Sequence, residues 1–312
     1  MGISERAAHA FFPASVMQGP FRNLLLFSFA KSLVFVIDFC NHAAEHFAKN
    51  RPDQVSVIEA VRSPNGRPHI HDGRLWAAYR GMSVSSDILA SALMSLEERL
   101  LIEAKSQPEL IKHALAVILE RGTSSFTTSV AVSLMTAHPS LVTEKMLGIF
   151  KCPWFFVDDF SRCQQEPLAL AIHGGHDGLD GERQKERIAS KNLPHRRHNL
   201  EDLALHLQLT RLDLRDAIFA ILDQHKTVLP ANPEDAQSWC IALKRMDLRE
   251  LKVGKQVGGG RAMTLEVANL EPELQQASAR AGERLQWMER LSAIRLWAAA
   301  ITRPDTVSDP NR

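Results

Sequence analysis

The segment "AIHGGHDGLDG", residues 171–181, sets His173, His176, Asp177 and Asp180 within eight positions. Two imidazoles three residues apart, followed by carboxylates, carry the donor atoms of a zinc or other divalent-metal site. A metal held there would activate water for hydrolysis, and His195 and His198 of "PHRRHN" could complete the ligand set. The local backbone argues the other way. Gly174 and Gly175 separate the histidines, and paired glycines leave the chain too free to hold short-spaced ligands in place. The preferred reading is a glycine-rich connector with no metal and no cofactor. A metal-dependent hydrolase or nuclease using His173, His176 and Asp177, helped by His195 and His198, is the alternative.

Three other stretches carry chemically suggestive residues. Residues 182–198 hold Arg183, Lys185, Arg187, Lys191, Arg196 and Arg197 against Glu182 and Glu186. Such a run could touch phosphates, but without interleaved aromatics it lacks a stacking platform for single strands. A solvated helix face, or a surface meeting acidic groups of the same assembly, explains it as well. "GRLWAAYRG", residues 73–81, places Trp76, Tyr79 and Arg80 together, the composition of a recognition hot spot or of a short amphipathic helix pinning a neighbouring hairpin. Trp76, Tyr79, Arg80, Arg196 and Arg197 are therefore the interaction candidates. "CPWFFVDDF", residues 152–160, reads as a hydrophobic plug with an acidic edge, where Asp158 and Asp159 could pair with arginines. "VGKQVGGGRAMT", residues 253–264, fails the phosphate-loop pattern because its lysine precedes the glycines. The chain also lacks the Rossmann, GxSxG and HExxH motifs, so a non-enzymatic role is expected.

The elements that must position these residues are mostly helical. Residues 21–48, after Gly19-Pro20, are dense enough in apolar side chains for one or two core helices. Residues 54–71 form a small β-hairpin about Pro64-Asn65-Gly66, with Pro68 marking an edge. From Ser83 to Phe150 the spacing predicts four helices joined by short links, the pattern of stacked helical hairpins. Further helices are expected at 182–191, 199–209, 211–228 and 234–246, and a second hairpin near 248–267 with Gly258-Gly259-Gly260 at its turn. A last helix from Glu271 to Arg303 would be roughly 45 Å long. The fold class is thus mostly α, solenoid-like, with one or two small β-hairpins. The organisation is an extension over 1–20, a first block over 21–175, a second over 176–303 and a frayed tail over 304–312.

Composition narrows the setting. The apolar fraction of 45% against 23% charged residues belongs to a globular protein. Lys and Arg total 37 and Asp and Glu 36, so no protein-wide field draws the chain to nucleic acid, which is not expected as a partner. Cys40, Cys152, Cys163 and Cys240 form no CxxC pair, in keeping with reduced thiols and a cytoplasmic location. The run at 24–40 contains Lys31 and Asp38, whose cost at a bilayer centre is roughly 2.5–3.5 kcal/mol each. It reads as a buried helix rather than a membrane span.

Four segments, "GPFRNLLLFSFAKSLVFVIDFCNHAAEHFA", "GRLWAAYRGMSVSSDILASALMSLEERLL", "TSSFTTSVAVSLMTAHP" and "SKNLPHRRHNLEDLALHLQL", resemble in order the C-terminal helical region of large bacterial ATP-binding proteins similar to STAND-type NTPases, which include antiphage sensors. The resemblance covers about residues 19–300. It implies a helical sensor or scaffold arm with a protein partner, such as an ATPase subunit or domain. The ATPase motifs themselves have no counterpart here, so no catalytic residue carries over.

Overall fold

A computed structural model describes residues 14–80, 86–172, 180–257 and 262–302. The expected turn glycines Gly258, Gly259 and Gly260, the tail after Pro304 and the connector at 173–179 lie outside that set. The fold is mostly α-helical with two small antiparallel hairpins. It divides into two compact units: described residues up to 169 together with 180–221, and residues 170–172 with 222–302. The helices just past the histidine connector belong with the first unit, up to Ile221.

In the first unit, α1 (Phe21–Phe27) and α2 (Phe29–Asn50) break at Ser28, whose N–H caps Leu24. The apolar run read as one or two helices is two, and among the described residues no helix is long and apolar enough to cross a membrane. Strands β1 (Ser56–Ile58) and β2 (His69–His71) form the first hairpin, shorter than its sequence period suggests because residues 60–62 turn into a 3-10 helix. Gly66 takes φ +71° at the tip, a conformation that favours glycine. Asn65 fastens this tip by donating to the carbonyls of Glu120 and Gly122 at 3.1 and 2.9 Å, filling acceptors that a helix end leaves open.

The short α3 (Gly73–Trp76) follows, then α4 (Asp87–Ser106), α5 (Pro108–Arg121) and α6 (Ser125–Ala137). Proline opens α5 and Gly122 closes it, as the sequence predicts. Helix α6 is buried continuously from Ser125 to Met135 and touches α2, α3, α4 and α5. A helix enclosed on all sides cannot leave hydroxyls unpaired. Ser129 Oγ donates to Phe126 O at 3.0 Å, and Thr127 and Thr128 both donate to Ser124 O at 3.3 Å.

The expected fourth helix of this run is instead two 3-10 stretches, Pro139–Leu141 and Glu144–Lys151. Proline limits the first, and in the second Gly148 approaches Pro64 so closely that a Cβ would lie 2.6 Å from the Pro64 carbonyl oxygen. Residues read as a hydrophobic plug begin α7 (Pro153–Ile172). After α8 (Asp180–Lys191), a 3-10 turn at Pro194–Arg197 leads to α9 (Leu200–Thr210), which opens on an Asn199–Asp202 capping box, and to α10 (Leu212–Thr227).

The second unit contains the end of α10, α11 (Pro233–Met246), the hairpin β3 (Leu251–Val257) and β4 (Ala262–Val267), and α12 (Pro272–Thr302). Asn232 caps α11 by accepting from Glu234 N at 2.8 Å. Asp247, fully buried, gathers Lys226 at 3.0 Å and Arg249 at 2.8 Å, and Arg249 reaches on to Asp223.

Candidate functional site

The interaction candidates Trp76, Tyr79, Arg80 and Arg196 are all buried, at 6% exposure or less, while Arg197 is exposed. None of the four buried residues can meet a partner at the surface. The reason is electrostatic: acids on α4 and α7 meet the arginines inside the first unit. Glu97 of α4 accepts from Arg196, lies 3.1 Å from Arg80 and takes the Ser133 hydroxyl. Glu166 of α7 accepts from Arg196 and Arg162 at 2.8 and 2.9 Å and lies 3.4 Å from Arg80. Arg162 also binds Asp159 at 2.7 Å and donates to the carbonyls of Arg196 and His198.

Three guanidiniums thus face three carboxylates with almost no water. Burial, with Glu166 nearby, holds the Glu97 carboxyl above its ordinary range although Arg80 and Ser133 pull it down, and the surrounding acids hold Arg162 above its own. The Arg80 guanidinium also lies 4.5 Å from the Tyr79 ring centre, so the only tyrosine seals the cluster and its own hydroxyl is pushed up by burial. The basic run at 182–198 therefore spends Arg196 on an internal acidic surface. Trp76 stacks on Phe155 at 5.1 Å and donates to Asp159, which pins the hairpin and α3 to α7.

Of the metal-ligand candidates, His173, His176 and Asp177 lie outside the described residues. His195 is buried in the first unit, its Nε2 4.0 Å from Glu97, and burial with nearby Arg80 and Arg162 lowers it to about 3. His198 is exposed and faces Asp202 at 3.5 Å. Among the described residues no group of three or more His, Cys, Asp or Glu side chains is arranged to hold a metal ion. The four cysteines are free thiols.

A second cluster was missed in the sequence. His69 and His71, alternate residues of β2, are both buried and turn inward together. His71 Nδ1 lies 3.0 Å from Ser125 Oγ and its Nε2 3.3 Å from Asp158 Oδ2. Hydroxyl, imidazole and carboxylate stand in the order of a nucleophilic relay. Ser125 is wholly enclosed, however, and burial lowers His71 to about 4, so the hydroxyl has no access to a substrate. What does face solvent is a cleft of about 630 Å³ bordered by Asp158, Asp72, Trp154 and Arg74. Burial, with Asp72 and Asp159 nearby, raises Asp158 to about 7. The signals were present as the alternation "HIH" and the pair "DD", but nothing local joins residues 71 and 158.

No known family model matches this chain, and no curated protein sequence does.

Proposed function

We propose that the chain is a non-enzymatic helical interaction or sensor module, the C-terminal part or split partner of a STAND-like NTPase in bacterial signalling or defence, working in the cytoplasm. The observation that carries this reading is apolar exposure on the first two helices. Phe27 is 89% exposed and Phe35 51%, with Leu24 and Leu26 also open. Phe35 stacks on Phe39 at 6.4 Å and Phe39 on Phe21 at 6.0 Å, so the surface aromatic is anchored to a buried one. Each large side chain covered by a partner would contribute roughly 1.5–3 kcal/mol, enough for a few such residues to hold a protein in place. The resemblance to the arms of STAND-like proteins supplies the occupant: a polypeptide carrying the P-loop ATPase core.

The buried ionic cluster supports the same reading from the inside. Its arginines and acids satisfy one another, which suits a rigid scaffold better than a site that must exchange protons with a substrate. The test is affinity capture of the full chain from its producing cell, wild type beside Phe27→Asp/Phe35→Asp, with the bound protein identified by mass spectrometry. A P-loop polypeptide in near-stoichiometric amount, lost in a double variant that keeps its circular dichroism, is the expected result. Recovery of the wild-type chain alone, or equal capture by the variant, would sink the reading.

A further inference from the structure

We propose that a second cleft of the first unit, between α4, the end of α6, α8 and the Pro194–Arg197 turn, binds an uncharged, largely apolar molecule carrying one O–H or N–H donor, such as a phenol or an indole. The inference goes beyond partner docking and uses none of the residues on α1 and α2. The cleft measures about 780 Å³, within the range of sites that enclose organic ligands. Met94 and Leu101 of α4, Ala137 of α6, Ala189 of α8 and Leu193 beyond it supply apolar walls. Burial of a ring against them is the driving force.

His195 supplies the polar anchor. It lines the cleft and is only 8% exposed. Its Nε2 is enclosed and stands 4.0 Å from a Glu97 oxygen, beyond hydrogen-bond reach. Its Nδ1 is not shut off in this way and takes no hydrogen bond among the described residues. Burial, with Arg80 and Arg162 nearby, keeps the ring neutral, and the Glu97 carboxylate draws the single ring proton to Nε2. The lone pair of Nδ1 is left as an acceptor. The neighbouring hydroxyls are already engaged, Thr136 with Val132 O at 2.8 Å and Ser190 with Arg196 at 2.8 Å.

Charge decides that the ligand is neutral. Glu97 is matched by Arg80 and Arg196, Glu98 by Arg22 at 3.0 Å, and His198 faces Asp202. His138 is kept neutral by burial and by Lys105. Glu186, which accepts from Ser15 Oγ at 2.8 Å, and the exposed Lys105 remain, and one negative charge offsets one positive. An ion entering this cleft would lose its hydration with no net countercharge to replace it, whereas a single donor on a neutral ring satisfies Nδ1.

The experiment is equilibrium dialysis of the full chain at pH 7 with 2-naphthol, its methyl ether 2-methoxynaphthalene, and 2-naphthoate. The naphthol should bind saturably, about tenfold more tightly than the ether, which has no donor for Nδ1, and more tightly than the anionic naphthoate. His195→Phe should weaken the naphthol to the level of the ether while leaving the ether unchanged; a merely structural role for the imidazole would weaken both alike. Should His195→Phe fail to fold, Ala189→Trp, at an exposed position on the cleft, serves instead and should displace both neutral ligands. Equal binding of naphthol and ether, tighter binding of naphthoate, an undiminished naphthol affinity in either folded variant, or no naphthol bound at about 1 mM would overturn the proposal. Partner capture is read through Phe27 and Phe35, so either reading can fail without the other.

Discussion

Glu97 shows how one side chain changes meaning once its neighbours are known. In the sequence it is one of two adjacent acids in "LEERLL"; in the fold it is 3% exposed and receives Arg80, Arg196 and Ser133. Removing one partner of a buried ion cluster leaves the others charged and without water, at a cost of about 3–5 kcal/mol. Glu97→Ala should therefore lower the urea-unfolding free energy by about that amount, with Glu97→Gln losing less because it keeps a hydrogen-bond acceptor. A loss below about 1 kcal/mol, the scale of exposed pairs, would show that water reaches the cluster. Arg196 and Glu97 are 99 residues apart in the chain, and no local pattern announces their pairing. Arg197, next along the chain, stays outside.

At the scale of elements, local chemistry was the best guide where it is self-contained. The hairpin tip at Pro64-Asn65-Gly66 and the proline-to-glycine span of α5 were legible because turns and caps are set by residues a few positions apart. The segment at 144–151 misled for the opposite reason: its helical period is real, but the backbone must pass against Pro64. Gly148→Ala should destabilise the protein by about 1–3 kcal/mol, the usual range for overpacking, measured by the shift in denaturant midpoint at constant m-value. A neutral result would mean that the Pro64 turn yields. Residues 152–160 read as a plug with an acidic edge because α7 puts Phe155 and Phe156 in the core and carries Asp158 beside His71 and Asp159 beside Arg162.

For the molecule as a whole, pH exposes the interior of the first unit. Burial lowers His69 to about 3, His71 to about 4 and His195 to about 3 from an ordinary 6.5. Below pH 6.5 the unfolded chain takes up three protons that the folded chain refuses, so stability is full above that pH and is lost as pH falls toward 4. Asp158, raised to about 7, has the opposite sign and holds a proton when folded, leaving a net uptake near two. Between pH 6 and pH 5 the unfolding free energy should fall by about 3 kcal/mol, a slope that His69→Gln should cut by about half, read from thermal unfolding across that range. A flat profile would mean that these imidazoles are hydrated. The sequence by itself determined a mostly helical protein with one or two small hairpins, because apolar periodicity, caps and turn residues act over a few positions. Only the tertiary structure decided that Trp76, Tyr79, Arg80 and Arg196 are interior and that Asp158 stands 3.3 Å from His71. Burial and charge compensation depend on groups that meet across many tens of residues, where no spacing rule reaches.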